Sequence, residues 1–111
     1  MVHSTIRMKI PGKKFQEALR ILKSIASRSS VQPGCLDCLV YRNGQQDEIL
    51  MLEQLWSNEA DLEHYLRSDE YRQVLMVLEM ATKRPEIRFD TILSSTGIET
   101  IEKARKDGAA A

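Results

Sequence analysis

The stretch ILMLEQLWSNEADLEHYLRSDEY, residues 49–71, joins an apolar strand to a helical segment that is rich in aromatic side chains. Successive side chains of a strand point to opposite faces, and here both faces are apolar. The two sets are Ile49, Met51 and Leu55 on one face, and Leu50, Leu52 and Trp56 on the other. A strand of this kind is usually covered on both sides.

The residues before this stretch predict a strand, a helix and a second strand. Thr5–Ile10 alternates apolar and charged residues, which is typical of a strand with one buried face. Apolar residues then recur at helical spacing, at Phe15, Ala18, Leu19, Leu22, Ile25 and Ala26. The next strands are Leu36–Arg42 and Glu48–Trp56, and the polar run Asn43–Asp47 between them predicts a hairpin.

After Trp56 the pattern predicts two short helices or one kinked helix, from about residue 58 to about residue 82. Ser57 or Asn58 can cap the first part, and Ser68–Asp69 resembles a second N-cap. The predicted inward residues are Leu62, Tyr65 and Leu66 in the first part, and Tyr71, Val74, Leu75 and Leu78 in the second.

A final strand and helix complete the chain. Glu86–Ile92 alternates like the first strand. Thr96–Glu99 has the spacing of a capping box and predicts a C-terminal helix that extends to about Lys106.

This order of elements predicts an α+β fold of the ferredoxin-like type, βαββαβ. Right-handed crossovers and the hairpin produce an antiparallel four-stranded sheet with helices on one face. We expect one domain over residues 1–111, with its core in residues 5–93 and an extra C-terminal helix in residues 96–107.

The two faces of the predicted sheet differ in character. The face toward the helices carries Ile6, Met8, Ile10, Ile87 and Phe89, and the other face carries Arg7, Lys9, Glu86, Arg88 and Asp90. The third strand adds apolar side chains to that second face. A half-apolar, half-charged face is poorly suited to water, so we expect a homodimer that covers it.

Composition narrows the classes of partner. Sixteen basic and sixteen acidic residues cancel, so no net charge attracts nucleic acid or an anionic membrane. The sequence MVHSTIRMKIPG lacks the apolar core of a signal peptide, and no apolar run approaches transmembrane length. These features predict a cytoplasmic protein.

The two cysteines, Cys35 and Cys38, favour neither a redox nor a zinc site. A redox CxxC needs a helix N-terminus, whereas this segment reads as a strand, on which the two side chains point to opposite faces. No second Cys or His pair completes a zinc site, so no metal is expected. We expect small, buried, reduced thiols.

Three segments carry a resemblance to a known family. QPGCLDCLVYR, MLEQLW and WSNEADLEHYLRSDEY together resemble the antibiotic biosynthesis monooxygenase (ABM) domain of the dimeric α+β barrel superfamily, over about residues 5–93. The residues that match the family pattern are Pro33, Gly34, Cys35, Gln54, Trp56 and Ser68.

The resemblance implies a barrel of two sheets with one pocket per subunit, between the sheet and the helices. It also implies a cofactor-independent monooxygenase that oxidises a quinol or polycyclic phenol with O2, because the deprotonated substrate supplies the electrons. The alternative is a non-catalytic dimeric barrel that binds a small aromatic ligand or haem. A third class is a structural dimer module with a filled pocket.

Departures from the family pattern bear on whether this protein uses haem as a cofactor. Many members carry His at the position of Tyr65, whereas His64 is one residue away and falls on the outer face of the helix. Haem-degrading members use an Asn on the first strand, which is absent here, and a His that aligns with Leu75. Haem is therefore disfavoured as a cofactor.

The candidate site residues are Trp56, Tyr65, Tyr71 and Arg88. We expect the three rings to surround one cavity between the sheet and the helices, with His64 outside it, although Trp56 and Tyr71 are equally consistent with core packing. Arg88 is a candidate to stabilise a phenolate, or else to pair with Glu86 or a neighbouring acid. No catalytic residue is assigned.

Overall fold

A computed structural model of the protein describes residues 1–110. The elements follow the predicted order with a helical extension at the C-terminus. They are β1 (Val2–Lys9), α1 (Gly12–Ser29), β2 (Cys35–Arg42), β3 (Ile49–Trp56), α2 (Glu59–Leu66), α3 (Arg72–Glu79), β4 (Glu86–Thr91) and α4 (Ile98–Ala110).

The four strands form one sheet in the order β2-β3-β1-β4. Every neighbouring pair is antiparallel, and the central strand β1 pairs Ile6 with Leu52 of β3 and with Ile87 of β4. This topology confirms the ferredoxin-like α+β fold.

The core lies between α1–α3 and one face of the sheet. Burial along β1 alternates residue by residue, so that Ile6 and Met8 are buried while Arg7 and Lys9 are not. The other face, which we call the open sheet face, carries no helix. It combines apolar and charged side chains, namely Leu39, Tyr41, Met51, Leu55, His3, Arg7, Glu53 and Arg88.

The side chains of β4 point to the predicted faces of the sheet, but those on the helix side are poorly covered. Ile87 pairs with Ile6 and Phe89 pairs with Ser4, which places both side chains on the helix side of the sheet. Each is nevertheless 46% exposed, because β4 is an edge strand with a sheet neighbour on one side only.

The inward face of α3 differs from the predicted one. Leu75 was expected inward but is 48% exposed, and Val77 is buried in its place. The buried stripe advances in steps of three, through Tyr71, Val74 and Val77. Tyr71 and Val74 are each followed by apolar residues at both i+3 and i+4, so the sequence fits two rotations of the helix. Packing against the core selects the rotation that buries Val77.

The expectation that Cys35 and Cys38 point to opposite faces is wrong. Strand β2 carries a bulge between Cys35 and Asp37, which inserts one extra residue. Cys35 therefore pairs with Trp56 and Cys38 with Gln54, both on the helix side. Both thiols are free; Cys38 is buried and Cys35 is partly buried.

Helix α4 begins at Ile98, where the Glu99 side chain accepts a hydrogen bond from the Gly97 N–H at 2.7 Å.

The radius of gyration is 16.9 Å and the molecule measures 54 × 35 × 22 Å. A compact chain of this length has a radius of about 13 Å. Within the described residues, no helix has the length and apolarity needed to cross a lipid bilayer.

Candidate functional site

Three aromatic rings meet where the end of β3 approaches α2 and α3. The ring centroids of Trp56 and Tyr65 lie 5.0 Å apart, and those of Tyr65 and Tyr71 lie 5.4 Å apart in an edge-on arrangement. These distances are typical of favourable aromatic pairs. We call this cluster the aromatic corner, and all three rings in it are buried.

The aromatic corner has polar partners inside the core. The Trp56 indole N–H donates to Gln54 Oε1 at 3.2 Å, and Gln54 Nε2 donates to Cys38 Sγ at 3.3 Å. The Tyr65 hydroxyl bonds to Ser29 Oγ at 2.7 Å. Buried polar groups are costly unless paired, and no buried side-chain N or O atom of the described residues lacks a partner.

The loop before β2 holds the exit of β3 in place. Gly34 has φ +82°, and its carbonyl accepts a hydrogen bond from the Ser57 N–H at 2.8 Å. Asn58 caps α2 by accepting from the Asp61 N–H at 2.8 Å, and Asp61 packs against Gly34. These contacts fix the start of α2. Tyr65, two helical turns later, therefore lies beside Trp56.

Ser68 joins α2 to α3. Its hydroxyl donates to the Tyr65 carbonyl at 2.6 Å and accepts from the Tyr71 N–H at 3.3 Å. Ser68 therefore caps the turn between the helices, but α3 begins at Arg72 with Tyr71 as its N-cap, so the prediction of an N-cap at Ser68–Asp69 is wrong. One side chain sets the relative position of the two tyrosines.

Burial keeps the ionisable groups of the aromatic corner neutral. It raises the pKa of Tyr71 to about 12 and that of the Cys38 thiol to about 11. Burial also raises the pKa of Tyr65, against the opposing effect of its hydrogen bond to Ser29. At neutral pH these groups therefore act as hydrogen-bond donors and acceptors, and none of them is a general base.

The three rings fill the space in which a cavity was expected. They pack on one another, and three surface pockets of the molecule have other linings. The largest, of about 370 Å³, lies between α1 and α3, and pockets of about 350 Å³ and 100 Å³ border Arg7 and Ile49 on the open sheet face. Binding of a ligand at the aromatic corner remains a prediction.

Arg88 and His64 lie away from the aromatic corner. Arg88 pairs with Thr5 of β1, which places its side chain on the open sheet face. The Arg88 side chain is 73% exposed, and its Nη2 lies 3.4 Å from Asp90 Oδ1. His64 is exposed on the outer side of α2, as its helical phase predicts.

The sequence profile of the antibiotic biosynthesis monooxygenase family matches residues 1–75. The chain belongs to this family. No curated protein matches the sequence.

Solved structures share the ABM fold. A conserved protein of Methanosarcina mazei Go1 is 26% identical, with a TM-score of 0.74 over 80% of this chain and 89% of that chain. A candidate antibiotic biosynthesis monooxygenase of Deinococcus radiodurans is 19% identical, with a TM-score of 0.81 over 88% and 98% of the two chains. Another candidate monooxygenase, from Caulobacter crescentus CB15, is 16% identical with a TM-score of 0.75 over 84% and 90%.

In this ABM protein the residues that carried the resemblance converge on one place. Gly34 fixes the entry to α2, Gln54 and Trp56 are hydrogen bonded, and Ser68 links the helices that supply the two tyrosines. The matching segments are far apart in sequence, yet each contributes to the aromatic corner.

Sequence reasoning missed a second polar network, on the open sheet face of this ABM domain. Glu53 accepts from Tyr41 OH at 3.2 Å, and its other carboxylate oxygen lies 3.0 Å from His3 Nε2. The strand register would have revealed this network, because it makes the three residues diagonal neighbours on one face. Within the described residues, no group of three or more His, Cys, Asp or Glu side chains is placed to hold a metal.

Proposed function

We propose that this ABM protein is a cytoplasmic, cofactor-independent monooxygenase that oxidises a quinol or polycyclic phenol with O2. The observation that supports this most directly is the aromatic corner, in which three rings and several hydrogen-bonding groups share one buried position. Flat, apolar rings with one hydroxyl match such a combination of stacking surfaces and polar groups.

The proposed reaction balances without a cofactor. An anthrone-type substrate loses two hydrogen atoms from its methylene carbon and gains one oxygen atom as a carbonyl. The second oxygen atom leaves as water, which takes up both hydrogen atoms. All four electrons come from the substrate, so the protein needs only to bind it, favour its anion and exclude water.

In this proposal the polar groups of the aromatic corner stabilise the substrate anion. Trp56 Nε1, Gln54 Nε2 and the Tyr65 hydroxyl are donors that are now bonded within the protein. A bound phenolate oxygen would replace one of these acceptors. Because the rings fill the corner, binding requires α2 and α3 to move away from the sheet around Ser68.

The alternative function is binding of a small aromatic ligand without turnover. It is favoured by the absence of a general base from the aromatic corner, since burial raises the pKa of Tyr65, Tyr71 and Cys38. Haem is a weaker candidate ligand. His64 is exposed, and His3 lies on the opposite face of the sheet beside Glu53.

We further propose that two copies form a homodimer through the open sheet face. Leu39 and Tyr41 are about 40% exposed there, beside the partly buried Met51 and Leu55. Exposed apolar side chains bordered by polar and charged ones are typical of a subunit interface.

Oxygen uptake by metal-free protein tests the proposed activity. Hydroquinones and anthrones are supplied in turn, and the rate is compared among wild type, Tyr65→Phe and His64→Ala. We expect uptake with at least one substrate, reduced in Tyr65→Phe and unchanged in His64→Ala. Saturable binding without uptake would favour the alternative, and neither binding nor uptake would leave a structural dimer module.

A further inference from the structure

Every described side chain of α4, from Ile98 to Asp107, is exposed, although the sequence of the helix has an apolar stripe. Ile98 and Ile101 lie one turn apart and are 69% and 60% exposed, and Ala104 continues the same side. Isolated helices of fewer than about 12–15 residues are marginal in water, and most helices gain their stability by packing one face. A 13-residue helix such as α4 therefore needs a surface to cover that stripe.

A groove of suitable character lies between α1 and α3, on the helix side of the molecule. Ile21 of α1 and the half-exposed Met76 of α3 give it an apolar floor. Arg20 and Arg28 make one wall basic, and Glu17 lies at the N-terminal end of that wall. The groove is separate from the aromatic corner and from the open sheet face.

We propose that α4 of one copy of this chain docks into the α1–α3 groove of a second copy. The apolar stripe of α4 then covers Ile21 and Met76. The N-terminal half of α4 carries Glu99 and Glu102 beside the stripe, which complements the arginines of the groove wall. The basic residues Lys103, Arg105 and Lys106 lie in the C-terminal half.

Arg20 is the arginine of the groove wall that is free to pair with an acidic residue of α4. Arg28 is already engaged by Glu70, 3.6 Å away, and by a hydrogen bond to Gln73. Across the described residues, Arg20 forms neither an ion pair nor a side-chain hydrogen bond. An acidic residue from α4 would therefore meet an unpaired guanidinium at the groove.

Length and shape favour a second copy as the source of the helix. Helix α4 is about 20 Å long, and the wall from Glu17 to Arg28 is about 17 Å long, at 1.5 Å per residue. The molecule is elongated, with a longest dimension of 54 Å, and every side chain of residues 98–107 is exposed, as expected of a helix that does not pack on its own chain. Since each copy has one α4 and one groove, reciprocal exchange between two copies closes the assembly.

Amide hydrogen exchange over residues 98–107, measured at several protein concentrations, tests this docking. We expect exchange in α4 to slow by about tenfold or more as concentration rises, because protection then requires a second copy. Fast exchange at every concentration would overturn the proposal. So would protection that does not depend on concentration, because α4 would then pack on its own chain.

Substitutions in the groove show whether it is the docking surface. Arg20→Glu and Met76→Glu lie outside α4 and should each remove most of its protection, whereas Leu75→Glu, on α3 but outside the groove, should not. Combining Arg20→Glu with Glu102→Arg should restore protection, because the charges are exchanged. Protection that survives both groove substitutions would contradict the proposal.

Discussion

At the scale of single residues, the aromatic corner depends on polar side chains that are unusual in a core. Gln54 is 3% exposed on an otherwise apolar strand face, and it bonds to both Trp56 and Cys38. An apolar residue at this position would leave the buried Trp56 indole N–H without an acceptor, which is costly in a core. The glutamine therefore stabilises the aromatic corner as well as supplying it with polar groups.

The first prediction concerns the Tyr65 hydroxyl. Tyr65→Phe removes its hydrogen bond to Ser29, which is fully buried, and we expect unfolding by urea to show a loss of about 1–2 kcal/mol. Ligand binding or turnover should fall by about tenfold or more, since a charge-assisted donor bond contributes more than a neutral one.

His64→Ala is the control for this prediction. His64 is exposed on the same helix, so its removal should change neither stability nor binding. If His64→Ala abolishes activity while Tyr65→Phe leaves it intact, the aromatic corner is plain core.

The second prediction is a loss of stability at alkaline pH. Burial raises the pKa of Cys38 from 9.0 to about 11 and that of Tyr71 from 10.0 to about 12. The unfolded chain releases the Cys38 proton above pH 9 and the Tyr71 proton above pH 10, while the folded chain still retains them. The free energy of unfolding should therefore be steady below pH 9 and fall above it, by about 1.4 kcal/mol per pH unit for each group.

Cys38→Ser separates the contribution of the thiol. The serine hydroxyl does not titrate in this range, so the fall between pH 9 and pH 11 should be shallower in urea unfolding curves. Identical pH profiles for wild type and variant would show that Cys38 ionises as freely in the folded protein as in the unfolded one.

At the scale of elements, the sequence predicted which segments form helices and strands but not their exact phase. The bulge at Cys35 and Asp37 has no signature in an otherwise regular strand, yet it reverses the direction of Cys35. In α3, two sets of apolar residues fitted the helical period, and tertiary packing chose Val77 over Leu75. The periodicity of apolar residues identifies a helix or a strand, whereas its tertiary contacts decide which of its side chains point to the core.

The third prediction tests the entry to α2. Gly34 has φ +82°, and a Cβ there would lie 2.6 Å from the Cβ of Asp61. Gly34→Ala should therefore cost about 2 kcal/mol or more, measured by thermal or urea unfolding. Gly44→Ala is the matched control, because nothing lies within 4 Å of its added Cβ and little change is expected.

A result in which the two alanine variants unfold alike would show that the Gly34 turn does not constrain α2. The aromatic corner would then be positioned by core packing alone.

At the scale of the whole molecule, the sheet followed from the order of its elements, and the identity of its two faces followed from alternation of apolar and charged residues in the first and last strands. The residues of the aromatic corner could be predicted only in part from the sequence. The three rings were placed together, but Ser29, which bonds to Tyr65, and Cys38, which accepts from Gln54, come from α1 and β2, and only the tertiary fold brings them there. The exposure of the apolar side chains Ile98 and Ile101 of α4 has no counterpart in local sequence patterns.

The fourth prediction concerns the homodimer. Leu39→Lys introduces a charge on the open sheet face, where Leu39 is 40% exposed, and should weaken self-association in sedimentation equilibrium. Leu75→Lys places the same charge at a similarly exposed position on α3 and should have little effect. Equal association of both variants and wild type would show that the open sheet face is not the interface.

The fluorescence of Trp56 tests the central claim most directly, because it is the only tryptophan in the chain and lies in the aromatic corner. Metal-free protein is titrated with a hydroquinone or anthrone in the absence of oxygen. We predict a saturable change in Trp56 emission, shifted to about tenfold higher ligand concentration in Tyr65→Phe and unchanged in His64→Ala. Emission that does not respond to any of these ligands would contradict the assignment of the aromatic corner as the binding site.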